Sequence, residues 1–374
     1  MNSRGGSALP SSVFEERLAR VQQAMAARDV DVVMLSVGHD LPYLTGYHAM
    51  PLERLTMLVV PREGIATLVI PRLEEPRVAP HPTVFATAPW NETDDPVALT
   101  AKLAKSSRRV AIGDQLWARF LVELLPHMPN VDWIRAVDVV GPLRRVKTAA
   151  EIAALQRAGA AADRVATQLH AGAIPLIGRT EAQVSADISQ RLLDEGHDVV
   201  NFAIVAAGDN AASPHHHPGE RVIRGGEIVL CDFGGTMADY CSDITRCVYL
   251  GEPSAEVRDA YAVLKEAQAA SVASAVVGAT CESVDAAARD IITAAGYGEY
   301  FVHRTGHGIG MEAHEDPYIV SGNTERLEAG HAFSIEPGIY IPGRFGMRLE
   351  DIVVATIDGP LPMNAVSHDL VVLA

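Results

Sequence analysis

The sequence predicts two domains, an α/β domain and then an α+β domain in which the order of secondary structure is duplicated. The chain has 374 residues, which is more than one domain usually contains. Short β-branched segments alternate with amphipathic ones up to about residue 140. Beyond that point, two helices followed by an acid-bearing pair of strands occur twice. We therefore expect a tail at 1–12 and domains at 13–145 and 146–374.

The N-terminal domain begins with a predicted helix and continues as strands. Ser12 and Glu15 have the spacing of a capping box, which would open a helix over 14–29. Asp95 before Pro96 has the residue types of another helix start. β-branched segments bounded by glycine or proline predict strands at 30–37, 56–61, 66–71 and 109–114. No glycine-rich phosphate-binding motif follows any of these strands.

The C-terminal domain begins after a boundary that we place near 144–148. Capping boxes that start at Thr148 and Thr180 open two helices, and strands follow at 202–208 and 227–250. The elements that then repeat this order are helices at 255–277 and 283–296 and strands at 332–341 and 347–356. We interpret the repetition as an internal pseudo-two-fold duplication within one domain.

Composition and charge exclude several classes of protein. A hydrophobic fraction of 48% with 21% charged residues is typical of a globular chain. The net charge of −16 argues against a nucleic-acid partner, which requires a basic surface. No apolar segment reaches the roughly 20 residues of a membrane-spanning helix, and no signal-peptide core is present. The four cysteines form no CxxC pair, so we expect a cytoplasmic protein without disulfides.

Two predicted hairpins bring acidic residues together in the C-terminal domain. The acids are Asp232 and Asp243 in the first hairpin and Glu336 and Glu350 in the second. The strand that carries Asp232 is apolar on both faces, which is typical of a buried strand. A turn at Met237 and Ala238 would place the first pair of acids opposite each other. A turn centred on Gly343 would do the same for the second pair.

Four carboxylates in an apolar interior require compensation, because each raises the pKa of the others and burial adds to the effect. Shared protons, salt bridges to Arg246 and Arg348, or bound cations could supply it. His303, His307 and His314 occur among glycines between the hairpins. One imidazole with several oxygen ligands suits divalent Mn, Co, Fe or Zn. One histidine with four carboxylates suits two such ions about 3.5–4 Å apart, and the charges of four acids and two dications then balance.

Six motifs in the C-terminal domain follow one another in a characteristic order. They are GDNAASPHHHP (208–218), DFG (232–234), SDITR (242–246), HRTGHGIGMEAHE (303–315), IEPGIY (335–340) and RLED (348–351). Together they resemble the M24-type "pita-bread" metallopeptidases of the creatinase/methionine-aminopeptidase superfamily, and most closely the proline-specific branch. That branch comprises Xaa-Pro dipeptidases (prolidases) and Xaa-Pro aminopeptidases. YLTGY at 43–47 resembles the creatinase-like N-terminal domain of the same proteins.

The resemblance implies a creatinase-like N-terminal domain, a pita-bread catalytic domain and roles for nine side chains. The implied metal ligands are Asp232, Asp243, His307, Glu336 and Glu350. Of these, Asp232 would bind one ion, His307 and Glu336 would bind the other, and the remaining two acids would bridge them. The implied catalytic side chains are Glu336, as general base and then acid, and His215 and His314, which would stabilise the oxyanion. The implied substrate-binding side chains are His303 and Arg348.

The expected reaction is metal-dependent hydrolysis of the peptide bond before proline in short peptides. We favour an Xaa-Pro dipeptidase with two divalent ions, Mn or Co, although these ligands also accept Zn or Fe. The alternatives are an Xaa-Pro aminopeptidase that acts on longer peptides, a methionine aminopeptidase, which normally lacks such an N-terminal domain, and a creatinase-like or partner-binding protein. The relatives implied by the resemblance are usually dimers, so we expect a homodimer.

Three further histidines are expected to play ordinary roles. His216 and His217 are interpreted as residues of a polar loop, and His331 as a neutral helper or packing residue. His331 before Ala332 and Cys247 after the SDITR motif depart from the family's usual residues, but neither position is an implied metal ligand.

Overall fold

The computed structural model describes residues 9–374, so most of the predicted tail lies outside the described residues. The described chain divides into two compact units, residues 9–144 and 145–374. No helix within 9–374 is long and apolar enough to cross a membrane.

The first unit is a six-stranded sheet with helices, as the alternating segments predict. Its strand order is β4-β3-β2-β1-β5-β6, with β1, β5 and β6 parallel and β1 to β3 antiparallel. The elements are α1 (Ser11–Ala27), β1 (Val32–Leu35), α2 (Asp40–Thr45), β2 (Met57–Pro61), β3 (Ala66–Pro71), β4 (Phe85–Trp90), α3 (Pro96–Leu103), β5 (Arg109–Ile112), α4 (Ala118–Leu124), β6 (Asp132–Arg135) and α5 (Val137–Arg145).

The four strands predicted in this unit are confirmed, whereas one predicted helix cap is wrong. Asp95 caps α3 by accepting the N–H groups of Val97 and Ala98, as expected. Helix α1 instead begins at Ser11 after Pro10 and has no side-chain cap, so Ser12 does not act as one. The unpredicted strands β4 and β6 are the two edges of the sheet. Edge strands are half exposed and tolerate polar residues and proline, which weakens their sequence signal.

The second unit repeats one arrangement of helices and strands. Its elements are α6 (Ala149–His170), α7 (Glu181–Asp194), β7 (Val199–Ala207), β8 (Ile228–Met237), β9 (Tyr240–Cys241), β10 (Ile244–Leu250), α8 (Ala255–Ser274), α9 (Cys281–Ala294), β11 (Gly306–Gly308), β12 (Glu315–Ile319), β13 (Ala332–Ile335), β14 (Gly338–Ile341), β15 (Phe345–Arg348), β16 (Asp351–Thr356), β17 (Gly359–Pro362) and β18 (Val371–Leu373). The predicted duplication is confirmed: α6, α7 and β7 to β10 form the first half, and α8, α9 and β11 to β16 form the second.

Helices cover both faces of β8, as its apolar sequence predicts. Val229, Cys231 and Phe233 pack with residues of α6 and α7. Ile228 and Leu230, on the other face, pack with residues of α8. The carboxylate of Asp232 shares the second face and is therefore buried with it. Both predicted capping boxes, at Thr148 and Thr180, are present at the starts of α6 and α7.

The first hairpin turns one residue later than the sequence predicts. Its loop consists of Ala238 and Asp239, whose φ angles of 47° and 72° suit a two-residue hairpin. Asp232 therefore pairs with Thr245, two residues beyond Asp243, and the predicted direct opposition of the two acids is wrong. Because side chains alternate with a period of two, this displacement leaves Asp243 on the intended face.

The second hairpin has the predicted register. Strands β14 and β15 pair about Gly343, which has a φ angle of 70°. Strands β13 and β16 continue the same register, and their last pair joins Ile335 to Asp351. Glu336 and Glu350 consequently lie opposite each other in the gap between these two ladders.

At the two acids the backbone N–H groups bond to residues outside this hairpin. The N–H of Glu336 donates to the carbonyl of Thr305 at 2.8 Å, and the N–H of Glu350 donates to the carbonyl of Thr245 at 3.3 Å. The second bond belongs to an isolated bridge between the two halves of the domain. The bridge between Thr245 and Glu350 therefore joins the two hairpins next to the acids.

Candidate metal centre

Three of the predicted ligands form a compact buried cluster. Asp243, His307 and Glu350 each offer one ligand atom, and these atoms lie within 4.8 Å of one another. Asp243 comes from the first half, whereas His307 in β11 and Glu350 come from the second. The cluster therefore exists only where the two halves meet.

The other two predicted ligands adjoin this cluster. Oε1 of Glu336 lies 3.4 Å from Nε2 of His307, which is also 3.9 Å from Oδ2 of Asp243. Oδ2 of Asp232 is 2.5 Å from Nη2 of Arg348, whose Nε is 3.9 Å from Oε2 of Glu336. The structure thus brings all five predicted ligands together.

The negative charges of the cluster disfavour one another. Burial raises the pKa of Asp243 well above its ordinary value, and the charges of Glu350, Asp232 and Glu336 add to the effect. Burial likewise raises the pKa of Glu350, with Glu336 and Asp232 as the next causes. Burial raises the pKa of Glu336 to about 7, although Arg348 opposes the shift. Ionised carboxylates at this place need positive charge nearby.

Salt bridges supply only part of that positive charge. Arg348 contacts Asp232 and Glu336, while Arg246 pairs with Asp351 at 2.7 Å instead of with a predicted ligand. Within residues 9–374, one oxygen of Asp232 and one of Asp243 are buried without any hydrogen-bond partner. Buried carboxylate oxygens without donors are costly unless a cation binds them. The donor set therefore fits divalent cations.

His307 presents a neutral ring nitrogen to the acids. Its Nδ1 lies 3.1 Å from the carbonyl of Gly308, which places the ring proton there and leaves Nε2 free for a cation. Burial lowers the pKa of His307 to about 3, with the charge of His314 as the second cause. The ring of His314 packs on that of His307 with centroids 3.9 Å apart.

A hydrogen-bonded chain occupies the side of the cluster next to Asp232. Nη1 of Arg348 donates to the hydroxyl of Tyr340 at 2.8 Å, and this hydroxyl donates to Nε2 of His303 at 2.8 Å. Nδ1 of His303 lies 2.6 Å from the carbonyl of Arg304. Both ring nitrogens of His303 are therefore bonded within the protein.

Sequence analysis missed two residues that hold this arrangement, Thr245 and Tyr340. The hydroxyl of Thr245 donates to Oε2 of Glu350 at 2.6 Å and accepts from Nε of Arg348 at 3.1 Å. A Cβ at Gly338 would lie 2.3 Å from the Tyr340 hydroxyl, so the ring of Tyr340 folds over a glycine. Both residues lie an even number of positions from a predicted ligand, in the SDITR and IEPGIY motifs. Strand alternation within those motifs could have found them.

The remaining histidines have distinct surroundings. His215 and His217 are exposed, but Nε2 of His216 lies 2.7 Å from the buried carboxylate of Glu181, so a purely polar-loop role for His216 is wrong. His331 is confirmed as a packing residue. It is buried, and burial lowers its pKa to about 4, with Arg145 and Lys147 as further causes.

Comparison with known families assigns both units. Residues 17–146 match the creatinase/prolidase N-terminal domain, and residues 153–356 match metallopeptidase family M24. These two ranges together cover most of the chain.

Several individual proteins are similar over nearly their whole length. An Xaa-Pro dipeptidase of Lactobacillus delbrueckii subsp. lactis is 36% identical over 367 residues, which is 95% of this chain and 98% of that protein. The crystal structure of dipeptidase PepE from Mycobacterium ulcerans has a TM-score of 0.90 at 44% identity and covers 97% of this chain and 99% of its own. A prolidase structure from Thermococcus sibiricus has a TM-score of 0.91 at 35% identity, with 96% and 99% covered.

Removing one charge from the cluster should stabilise the metal-free protein. In Glu350→Gln the amide oxygen can still accept the hydrogen bond from Thr245. The variant has no ionised carboxylate at this position, so burial and the charges of Glu336 and Asp232 no longer destabilise one. We expect the free energy of unfolding at pH 8 to rise by about 1 kcal/mol or more, which is roughly 2–4 °C in Tm. Thermal unfolding after treatment with a chelator measures this change.

Asp351→Asn is the matched control, because Asp351 is the adjacent acid and is also buried. Although burial opposes the shift, His368 and Arg246 lower the pKa of Asp351. Its ionised form is thus stabilised, and the control should lose about 3 kcal/mol through the buried pair with Arg246. If both variants were destabilised equally, the charge repulsion inferred for Glu350 would be wrong.

The effect of Glu336→Gln on the metal-free protein should depend on pH. The pKa of Glu336 is raised from 4.5 to about 7, so the folded state holds this proton more tightly than the unfolded chain does. The stability associated with the proton is present below pH 4.5 and is lost as the pH rises to 7. The variant should therefore be more stable than the wild type at pH 8, and the difference should shrink as the pH falls toward 4.5. Paired denaturant titrations across this range test the sign, and a difference that did not vary with pH would contradict it.

Proposed function

The chain belongs to metallopeptidase family M24 and carries the creatinase/prolidase N-terminal domain, and on this premise we propose that it is an Xaa-Pro dipeptidase. The enzyme is a metallopeptidase, and the proposed substrates are short peptides cleaved before proline. The observation that carries the proposal is the buried cluster of Asp243, His307 and Glu350, joined by Glu336 and Asp232. A creatinase-like protein without metal ligands would not need to keep these acids together.

We propose that these five side chains bind two divalent ions, Mn or Co, with Zn or Fe as other ions that such donors accept. Asp232 would hold one ion and His307 with Glu336 the other, while Asp243 and Glu350 would contribute to both. When bound, such ions lower the pKa of water and polarise the scissile carbonyl. The unpartnered oxygens of Asp232 and Asp243 support this assignment.

The surrounding side chains are assigned to proton transfer and to substrate positioning. Glu336 takes a proton from water and passes it to the leaving nitrogen. His314 and His215 donate hydrogen bonds toward the developing oxyanion. Arg348 fixes Asp232, and His303 holds Arg348 through Tyr340, and we assign both to the substrate end of the site.

Arg304 favours a dipeptide over a longer peptide as substrate. Its guanidinium lies 4.3 Å above the ring of Tyr318 and makes no ion pair with another described residue. Its charge nevertheless acts on the centre: after burial, it is the next cause of the lowered pKa of His314. A dipeptide presents a free carboxylate one residue beyond the scissile bond, whereas a longer peptide has a neutral amide there. We therefore propose that Arg304 binds the free carboxylate of the dipeptide.

The cell location and assembly follow the same proposal. We propose a cytoplasmic enzyme, consistent with four buried cysteines that form no disulfide. A homodimer remains the proposed assembly on the basis of the family resemblance. An Xaa-Pro aminopeptidase is the second candidate, because the same cluster of ligands could serve longer substrates.

The proposed reaction predicts a defined pattern of activity. Protein reconstituted with Mn²⁺ should hydrolyse Ala-Pro faster than Ala-Pro-Ala, and EDTA should abolish turnover until Mn²⁺ is restored. Asp243→Ala and His307→Ala should each reduce kcat to background, because each removes a ligand from the cluster. Activity unaffected by EDTA would indicate a reaction without metal, and faster cleavage of Ala-Pro-Ala would favour the aminopeptidase.

Arg304→Met should separate recognition of the carboxylate from catalysis. A charge-assisted hydrogen bond contributes about 1.5–3 kcal/mol, so KM for Ala-Pro should rise about 10-fold or more. KM for Ala-Pro amide, which has no carboxylate, should stay the same. Arg157→Met, at an exposed arginine of α6, serves as the control. An equal effect on both substrates would remove the carboxylate role from Arg304.

A further inference from the structure

The loop that carries His215 is tied to a buried acid at the start of α7. The side chain of Glu181 is fully buried. One of its oxygens accepts the N–H of Ala207 at 2.9 Å and the amide of Asn210 at 3.0 Å. The other oxygen lies 2.7 Å from Nε2 of His216. All three donors belong to the single segment 207–216.

A carboxylate without solvent is stable in the ionised form only when several donors surround it. Ala207 and His216 lie at the two ends of the segment, so Glu181 fixes both ends at once. The opposite side of the loop rests on β15, where a Cβ at Gly346 would lie 1.8 Å from the carbonyl of Ala211. The loop is thus held from two sides.

His215 depends on this attachment for its position. It is exposed, and its side chain has no hydrogen bond to any other residue within 9–374. The residue before it is tied to the centre, because Nη1 of Arg348 donates to the carbonyl of Pro214 at 3.3 Å. The residue after it is His216, which is tied to Glu181. The place of His215 is therefore set by its two neighbours in sequence.

The second half of the domain contains a matching arrangement. Asp285, buried in α9, accepts the N–H of Thr305 at 3.1 Å and its hydroxyl at 2.7 Å. The same acid pairs with Arg289, which donates to the carbonyl of His303 at 2.8 Å. In each half, a buried acid on the second helix thus holds a segment that carries a substrate-side histidine. The two arrangements use different residues, so the second is independent support for the role of the first.

We propose that Glu181 and His216 are positioning residues that act through His215: the bond between them fixes the loop so that His215 stands where the oxyanion forms. This inference rests on the proposed function, which assigns His215 to the oxyanion. The proposed role accounts for the different surroundings of two histidines in the PHHHP sequence. His216 is bonded to Glu181, whereas His217 is exposed.

The test compares variants of the full-length, Mn²⁺-loaded enzyme on Ala-Pro. His216→Ala should lower kcat/KM about 10- to 100-fold, the range expected when a catalytic group is displaced by about 1 Å. His216→Gln places an amide donor near the position of Nε2 and should recover most of the loss. His217→Ala, in the same loop but exposed, is the matched control and should leave activity unchanged.

A double-mutant cycle with His215→Ala then distinguishes positioning from general damage. If His216 acts through His215, adding His216→Ala to His215→Ala should change kcat/KM by no more than about twofold. Multiplicative losses in the double variant, or wild-type activity in His216→Ala, would overturn the inference.

Hydrogen exchange of the metal-free protein provides a readout that does not depend on turnover. His216→Ala should speed exchange in 207–216 and leave the rest of the domain and the stoichiometry of Mn²⁺ binding unchanged. If the wild type failed to cleave Ala-Pro, or His215→Ala were fully active, the proposed function would fail. The exchange data would then test on their own whether His216 attaches the loop to Glu181. Unchanged exchange in 207–216 would contradict that attachment.

Discussion

The arrangement of the catalytic domain depends on one constraint, which is uncompensated negative charge held in an apolar interior. Burial raises the pKa of Asp243, Glu336 and Glu350, and the charges of neighbouring carboxylates add to each shift. Arg348 contacts two acids of the cluster, and Arg246 is engaged elsewhere by Asp351. A fold that keeps such a site needs positive charge in addition to Arg348, and bound metal ions can provide it. The costly burial of acids is therefore the feature that links the structure to metal-dependent chemistry.

Duplication of the domain makes this concentration of acids possible. Each half contributes a hairpin whose ladder is interrupted at an acid, and the interruptions meet at the bridge between Thr245 and Glu350. The N–H of Glu336 bonds to Thr305, and the N–H of Glu350 bonds to Thr245 in the other half. Around the centre, Thr245, Tyr340 and Arg348 form hydrogen bonds that hold the acids in place. Such preorganised surroundings are what metal sites require of their outer residues.

The sequence predicted most local features that a short pattern determines, although the capping box at Ser12 is not formed. The capping boxes at Thr148 and Thr180, the cap at Asp95 and the register about Gly343 all depend on residues close together in the chain. Errors arose where the local sequence pattern is weak. The turn after β8 lies one residue later because Ala238 and Asp239 adopt positive φ, which composition alone does not indicate. The edge strands β4 and β6 were missed because half-exposed strands lack a continuous apolar pattern.

By itself, the sequence determined the two-domain organisation, the duplicated order of elements and the set of acids and histidines with the chemistry of metal ligands. These follow from residue type and spacing, which are properties of the chain before it folds. Only the tertiary structure decided which partners those side chains have. Arg348 binds Asp232 while Arg246 binds Asp351, His303 is engaged by Tyr340, and His216 holds Glu181. Such choices depend on hydrogen bonds between residues far apart in sequence, and their geometry is set by the packing of whole elements.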